Sequence, residues 1–437
     1  MRYFAAFARL PTGVARDVLF DIADGRFVSV TPQAAPGDAV RLPGVVLPGF
    51  ANAHSHAFHR ALRGRTHSGG GTFWTWRDAM YDVADRLDPD SYLALARATY
   101  AEMALAGITA VGEFHYIHHG ARGVPYADPN AMAEALRVAA ADAGVRLTLL
   151  DACYLAGGLQ ADGHVPLSEP QRRFGDADVD AWAARVVTLR PSRGMLVGAA
   201  IHSVRAVPRA ALPGVVAAAD GLPLHAHVSE QPAENEACQA FYGTSPTGLL
   251  EAAGALGPRT TAVHATHLDA RDVTTLGRTA TTACFCPTTE RDLADGIGPA
   301  RALRDAGSPL ALGSDQHAVI DLLEEARALE SHERLMSLQR GRFSPDELHL
   351  AMSAHGSLGW HDAGMLAPGY RADLVAVRTD SVRTAGMDPT QIVFAASAAD
   401  VDTVVVDGAA IVENGRHHLG DVAALLAKAI DPLWSGS

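Results

Sequence analysis

The sequence predicts an α/β protein in which a parallel (β/α)8 barrel is joined to a small β-sandwich built from both chain ends. Between residues 48 and 365, eight short apolar runs alternate with longer amphipathic stretches, which is typical of parallel strands covered by helices on both faces. Short β-like runs lie before and after this region, and polar residues stand where several predicted strands end. A doubly wound open sheet is the alternative arrangement for the central region.

The two chain ends carry the pattern of β-structure. The stretch "DVLFDIADGRFVSV" contains two apolar runs around Asp24-Gly25, a dipeptide typical of a hairpin turn. After about residue 366, the runs "ADLVAVRTD" and "VDTVVVDGAAIVENGRH" precede a helix candidate at residues 422–430. We expect residues 1–47 and 366–437 to form one β-sandwich with a terminal helix, and residues 48–365 to form the barrel.

Eight apolar runs are candidates for the barrel strands. In chain order they are "GVVLPGFANAHSH", "ITAVGEFHY", "RLTLLDACY", "LVGAAIH", "LPLHAHVSE", "TAVHATH", "TACFCP" and "LALGSD". Amphipathic helix candidates between them include residues 91–106, 130–143, 178–190 and 321–339. Eight such strand–helix units are the number that closes a parallel barrel.

Composition excludes several classes of protein. The 437 residues are 48% hydrophobic and 19% charged, as in globular chains, and no apolar run reaches the length of a membrane span. The formal net charge is −13 and there is no basic run, so a nucleic acid partner is not expected. Only Cys284 and Cys286 are close-set among four cysteines, which favours a reducing compartment, and we expect a cytoplasmic protein.

The end of the first predicted barrel strand crowds three histidines into "LPGFANAHSHAFHRALRG". Side chains at i and i+2 of a strand point to one face, so His54 and His56 aim two imidazoles at the same region. Two convergent neutral imidazoles suit a divalent metal ion. His59 lies outside this alternation and need not join them.

Residues of ligand or acid–base type also stand at the ends of predicted strands two, four, five, six and eight. Because the carboxyl ends of barrel strands meet at one face, we expect these side chains to form a metal centre with catalytic neighbours. The spacing alone does not choose between His225 and His227, since both lie on one strand face. In strand order the residues are Glu113, His115 and Tyr116; His202, followed by Arg205; His225, His227 and Glu230; His264 and His267; and Asp315.

Four motifs in this order, "LPGFANAHSHAFHRALRG", "HAHVSEQ", "VHATHLD" and "LGSDQH", resemble the deaminase branch of the amidohydrolase superfamily. The resemblance implies a metal held by His54, His56, His227 and Asp315. It also implies catalytic roles for His264, Glu230 and Asp315, and a packing role is expected for His267.

The expected number of metal ions depends on whether a lysine is available to bridge two of them. Some members of the superfamily hold two metals bridged by a carbamylated lysine on the fourth strand, but the only lysine of this chain is Lys428, near the C-terminus. We therefore expect one divalent ion. Three nitrogens and one oxygen favour Zn²⁺, with Fe²⁺ or Mn²⁺ as alternatives.

Three further motifs, "TFWTWRDAMY", "EFHYIHH" and "IHSVRAV", narrow the resemblance to the formimidoylglutamate deiminase family of histidine degradation. This implies hydrolysis of N-formimidoyl-L-glutamate to N-formyl-L-glutamate and ammonia. The guanidinium group of arginine can bind a carboxylate through two parallel hydrogen bonds, and this substrate carries two carboxylates. The implied substrate-binding residues are His59, Arg77, Tyr116, His202, Arg205 and Glu230. We expect Arg77 on the loop after the first barrel strand, which Trp74 and Trp76 shape and which covers the site.

Two alternatives remain open at this point. One is a deaminase of the same branch that acts on an aminated heterocycle or a guanidino acid; a neutral heterocycle would not need two arginines that bind carboxylates. The other is a metal-binding barrel without catalysis, which would not need Glu230 and His264. His59 stands where the family commonly has glutamine, so it bears on substrate choice. By analogy with the family, we expect a homodimer with a small-molecule dicarboxylate substrate.

Overall fold

The computed structural model of the chain describes residues 1–67 and 73–435. Its N-terminal segment contributes four strands to a mixed sheet, here called the end sheet. In the hairpin between the second and third strands, Asp24 and Gly25 have φ of 51° and 76°, as the predicted tight turn requires. The four strands are β1 (Arg2–Leu10), β2 (Gly13–Ala23), β3 (Arg26–Thr31) and β4 (Val40–Pro48).

The central region forms eight parallel strands, with one short hairpin after the third. In chain order the barrel strands are β5 (Phe50–Ser55), β6 (Ile108–His115), β7 (Arg146–Cys153), β10 (Met195–Ile201), β11 (Leu224–Val228), β12 (Thr260–His264), β13 (Thr282–Phe285) and β14 (Leu310–Leu312). The hairpin strands are β8 (Gly158–Gln160) and β9 (Gly163–Val165).

Backbone hydrogen bonds close the barrel between its first and last strands. The His56 N–H donates to the Asp315 carbonyl at 3.2 Å, and the Asp315 N–H donates to the His54 carbonyl at 3.0 Å. The predicted (β/α)8 barrel is therefore confirmed over the open sheet, and its seam lies beside the predicted metal ligands.

The C-terminal segment completes the end sheet with β15 (Leu374–Val377), β16 (Val401–Val406), β17 (Ala409–Glu413) and β18 (Arg416–His417). The strand order is β18-β17-β16-β15-β4-β1-β2-β3, and β4 pairs in parallel with β1 and antiparallel with β15. Both chain ends thus build one β-structure, as predicted, and its strands form a single eight-stranded mixed sheet. The domain boundaries at residues 47/48 and 365/366 stay a prediction.

The first predicted barrel run, residues 44–56, is two strands in the structure. Its first half belongs to β4 of the end sheet, and its second half is β5 of the barrel. The break falls at Gly49, where a Cβ atom would overlap the Thr109 side chain. Close packing of the Thr109 side chain against the Gly49 backbone, which hydrophobicity does not reveal, accompanies the break.

Helices alternate with the barrel strands, and all four candidates are confirmed, although the one predicted at 178–190 ends at Val186. A 3-10 helix, Ala57–Leu62, follows β5. The α-helices are α1 (Phe73–Asp85), α2 (Pro89–Leu105), α3 (Ala131–Ala143), α4 (Val179–Val186), α5 (Leu212–Ala218), α6 (Pro232–Tyr242), α7 (Pro246–Ala252), α8 (Ala270–Arg278), α9 (Pro287–Asp292), α10 (Ala300–Ala306), α11 (Leu322–Ser337), α12 (Pro345–Met352) and α13 (Val422–Trp434).

Two large hydrophobic cores correspond to the two sheets. One lies between the barrel strands and their helices, and the other lies on the end sheet around Phe20, Phe27 and Leu374. All four cysteines are buried and free. None of the described helices combines the length and the apolar character that a bilayer crossing requires.

Candidate metal centre and active site

Four predicted ligands, His54, His56, His227 and Asp315, converge at the carboxyl end of the barrel. The Nε2 atoms of His54 and His227 lie 3.1 Å apart, and Nε2 of both His54 and His56 lies 3.5 Å from Asp315 Oδ1. Two ligands of a tetrahedral metal with bonds of about 2.0–2.1 Å stand about 3.3 Å apart. The spacing of these donor atoms therefore fits one tetrahedral ion.

The orientation of the rings also fits a metal. The Nδ1 atom of His56 lies 2.8 Å from the Phe114 carbonyl, and that of His227 lies 2.8 Å from the His202 carbonyl. Carbonyls accept, so each Nδ1 carries the proton and each Nε2 turns a lone pair toward the cluster. Burial is the main factor that lowers the pKa of these rings, that of His56 to about 3, which keeps them neutral.

The structure distinguishes His225 from His227 as a candidate metal ligand, a choice that the sequence spacing leaves open. His225 Nε2 lies 3.0 Å from the Ser357 carbonyl, and it belongs to none of the groups of convergent metal-ligand atoms among the described residues. His227 belongs to the group with His54 and His56. The geometry thus agrees with the ligand set that the family resemblance implies.

We call the side chains of His54, His56, His227 and Asp315 the metal cluster. His264 lies between this cluster and Glu230. Its Nε2 atom is 3.9 Å from Asp315 Oδ2 and 3.8 Å from Glu230 Oε1. Burial lowers the pKa of His264, but the neighbouring carboxylates of Glu230, Glu290 and Asp315 outweigh burial and raise it to about 10. The ring is therefore placed to hold or exchange a proton at Nε2.

The backbone at this position is strained. His264 and the following Ala265 have φ of 68° and 48°, a left-handed conformation that L-residues rarely adopt. The Ala265 N–H donates to the Val228 carbonyl at 3.0 Å, which ties the turn to the neighbouring strand. Strain of this kind is typical of a functional position whose surroundings fix one geometry.

Arg205 is paired with carboxylates of the site. Its Nη2 donates to Glu230 Oε2 at 2.9 Å, and its Nε lies 3.7 Å from Oε2 of the buried Glu234. Burial lowers the pKa of Arg205, but Glu234 and Glu230 raise it further, so the guanidinium is firmly charged. The sequence predicts Arg205 and Glu230 in the site, but their contact with each other has no sequence signal.

Both arginines line one cavity of about 150 Å³ that reaches the metal cluster. Arg77 lies on α1, not on a loop as expected, and its guanidinium carbon is 5.6 Å from the centroid of the Tyr81 ring. Helix α1 thus approaches the barrel mouth and brings Arg77 into the lining. The predicted residues His59, Tyr116, His202, Glu230 and His264 line the same cavity.

His59 also lines the cavity, although it lies outside the alternation of side chains along the strand. Its Nε2 atom is 2.9 Å from the Tyr116 hydroxyl, and its ring centroid is 4.6 Å from that of His56. Trp76 also lines the cavity, whereas the side chain of Trp74 and residues 68–72 lie outside the described residues.

Two predicted strand-end histidines take other positions. His267 Nε2 is 2.7 Å from the Asp295 carbonyl, a contact with the backbone outside the cavity lining. His115 points away from the cavity and forms a second buried group with His118 and Asp151. Two buried carboxylates near the site, Glu234 and Glu290, were not singled out in the sequence. For Glu234 a signal existed, because it follows Glu230 by four residues and lies in the first turn of α6.

Comparison with known proteins identifies the family of the chain. The amidohydrolase family matches residues 45–411. The chain is 39% identical to formimidoylglutamate deiminase from Pseudomonas aeruginosa, over 95% of each chain, and 31% identical to 8-oxoguanine deaminase from the same species, over 93% of this chain and 92% of the relative.

Solved structures agree with the fold. An amidohydrolase from Brucella melitensis superposes with a TM-score of 0.92 at 33% identity, covering 99% of this chain and 100% of the other. An adenosine deaminase from Xanthomonas campestris with bound zinc has a TM-score of 0.84 at 22% identity and shares the fold, covering 99% of this chain and 98% of the other. The chain therefore belongs to the amidohydrolase family and is a hydrolase, and its convergent His and Asp side chains could hold a metal ion.

Proposed function

We propose that this chain catalyses the metal-dependent hydrolysis of N-formimidoyl-L-glutamate to N-formyl-L-glutamate and ammonia. The observation that carries the proposal is the presence of Arg77 and Arg205 in the wall of the cavity that reaches the metal cluster. The chain is acidic overall, so a substrate with two carboxylates needs local cations. The 39% identity to a formimidoylglutamate deiminase supports the same substrate.

For the metal we propose one Zn²⁺ ion, with Fe²⁺ or Mn²⁺ as alternatives, held by His54, His56, His227 and Asp315. Three neutral imidazole nitrogens and one carboxylate oxygen at tetrahedral spacing support this choice. When bound, such an ion supplies a water whose pKa lies near neutrality.

The side chains divide the proton transfers. Asp315, in contact with the ligand imidazoles, accepts the proton of the attacking water, and the protonated His264 ring stabilises the negative charge on the attacking oxygen through Nε2. Glu230, 3.8 Å from His264, delivers a proton to the departing nitrogen. The water oxygen becomes the formyl oxygen, the terminal C–N bond breaks, and the nitrogen leaves as ammonia.

The Arg205–Glu230 contact links binding to this chemistry. Arg205 donates to Glu230 through Nη2, and a guanidinium carries five N–H donors in a planar fork. The same side chain can therefore hold Glu230 and a substrate carboxylate together. This arrangement fixes the acid relative to the glutamyl end of the substrate.

Arg205→Met tests the proposal. Removing a hydrogen bond to a charged group costs about 1.5–3 kcal/mol, or roughly 10- to 150-fold in kcat/KM. We expect that loss for N-formimidoyl-L-glutamate in addition to the smaller loss shared by N-methylformamidine, which has no carboxylate and reports only the lost contact with Glu230, and we expect an unchanged metal content. The measurement is ammonia release from both compounds by the metal-loaded enzyme.

Arg209→Met is the matched control. Arg209 lies four residues further along the same segment, is exposed, and stacks on Tyr242 at 4.6 Å outside the cavity. It should change neither rate. Equal losses on both compounds in Arg205→Met, or a wild-type preference for 8-oxoguanine, would refute the dicarboxylate substrate and favour a heterocycle deaminase.

The expected homodimer and cytoplasmic location remain predictions. Sedimentation of the purified chain would test the oligomer.

A further inference from the structure

We propose that Glu290 is a positioning residue for His264, which it orients by accepting a hydrogen bond from Nδ1 of the ring. Glu290 Oε1 lies 3.5 Å from His264 Nδ1, at the long end of the hydrogen-bonding range. The opposite ring nitrogen, Nε2, faces Glu230 and Asp315 in the cavity. The inference rests on the proposed function, because it assigns a task to a partner of the proposed catalytic histidine.

The burial of Glu290 calls for such a partner. The residue is 2% exposed, and leaving a carboxylate in the interior without compensation is costly. Within the described part of the chain, His264 is the basic side chain recorded within ion-pair distance of this carboxylate. A carboxylate whose one basic neighbour is the proposed catalytic histidine has a role tied to that histidine.

The local backbone holds the carboxylate in place. The Cys286 N–H donates to the same Oε1 at 2.8 Å, and the Glu290 N–H donates to the Cys286 carbonyl at 2.9 Å. Glu290 is therefore folded back on the start of α9, which follows barrel strand β13 directly. Its oxygen is fixed to the barrel and not carried by a free side chain.

The two ends of the His264 ring thus have different tasks. A carboxylate at Nδ1 places the ring proton there and leaves Nε2 as the atom that faces the reacting groups, which is the logic of an oriented catalytic histidine. The left-handed backbone of His264 directs the side chain into the cavity, and Glu290 fixes its rotation. Neither feature alone determines where Nε2 points.

A double-mutant cycle with His264 tests the proposal. Residues that orient a catalytic or metal-bound histidine typically contribute about 10- to 100-fold. We expect Glu290→Ala to lower kcat for N-formimidoyl-L-glutamate by about that factor, with KM and metal content little changed. On a His264→Asn background the same substitution should cause almost no further loss, because the residue it acts through is gone.

Glu290→Gln separates position from charge and guards against misfolding. The glutamine oxygen retains the acceptor for Cys286 and His264, so its loss in kcat should be smaller than that of Glu290→Ala. Glu325→Gln is the control. Glu325 is a fully buried carboxylate that accepts from Thr288, two residues before Glu290, and does not contact His264. It should leave kcat unchanged.

Two outcomes would overturn the assignment: an unchanged kcat in Glu290→Ala, or the same fold-loss with His264 present and absent. A readout without substrate separates this failure from that of the proposed function. Crystal structures of the metal-loaded wild type and Glu290→Ala should show the His264 ring rotated in the variant. An unrotated ring contradicts the positioning role, whereas a wild type that releases no ammonia contradicts the substrate only.

Discussion

Two buried groups of histidines and an aspartate lie near the same end of the barrel, and they differ in what neutralises the aspartate. In the metal cluster, Asp315 faces the imidazoles of His54, His56 and His264, and the described residues place no arginine or lysine within ion-pair distance of it. In the second group, His115 and His118 stand beside Asp151.

Asp151 already forms an ion pair with an arginine. Arg185 Nη1 and Nη2 donate to its two oxygens at 2.6 and 2.9 Å, and Trp182 Nε1 donates at 3.0 Å. Burial raises the pKa of Asp151, but Arg185 and the nearby histidines outweigh burial and lower it below its usual value. The positive charge of the Arg185 guanidinium would repel an additional metal ion at this position.

The comparison shows that residue type does not define a metal site. Both groups contain His and Asp, both are buried, and both follow strand ends. The difference is one arginine on helix α4, which satisfies Asp151 and makes the second group structural. Asp315 has no such partner among the described residues, so its charge is available to a metal.

The largest expected effect, on metal content and turnover, distinguishes the two aspartates when each is replaced by asparagine in a separate variant. Asp315→Asn should lose most of the bound metal and lower turnover by roughly 10²–10⁴-fold, because a ligand and an acid–base group disappear together. Asp151→Asn should keep both metal and turnover per folded molecule. Elemental analysis and ammonia release check the pair, and metal loss in Asp151→Asn would break the comparison.

The next effect concerns stability. Arg185→Met leaves Asp151 buried without its main cation, and breaking a buried pair in this way costs about 3–5 kcal/mol in the free energy of unfolding. Arg185 is almost fully buried, so the charge cannot be replaced by water. Urea unfolding measures the loss. The double variant Arg185→Met/Asp151→Asn should recover part of it, and an additive loss would contradict the pairing.

The smallest effect is a pH dependence of the second group. Burial and the charge of Arg185 lower the pKa of His118 to about 4, against the opposing effect of Asp151 and Asp176. Below pH 6.5 the unfolded chain therefore binds a proton that the folded chain refuses until about pH 4. Stability contributed by neutral His118 is full above pH 6.5 and falls by about 1.4 kcal/mol per pH unit between those values.

His118→Gln should flatten this dependence. A glutamine retains a donor for the Ala152 carbonyl, which His118 Nε2 contacts at 2.9 Å, but it does not titrate. Urea unfolding of the wild type and the variant at pH 7, 6 and 5 gives the slope. If the two slopes are equal, His118 is not held neutral by its surroundings.

The sequence alone determined the barrel, the meeting of the chain ends and the two proposed metal ligands that share a strand. Alternation puts His54 and His56 on one face, and strand-end placement brings His264 and Asp315 to the same rim. These features depend on local periodicity and on the direction of parallel strands, and both are visible in one sequence.

Only the tertiary structure decided the contacts made across the barrel. It turned His225 toward the Ser357 carbonyl and His227 toward the metal cluster, paired Arg205 with Glu230, put Arg77 on a helix, and placed Glu290 behind His264. His264 and Glu290 are 26 positions apart, and no periodic signal links them. Such contacts depend on where separate strands and helices pack, because a buried charge is satisfied by whichever partner the fold brings within reach.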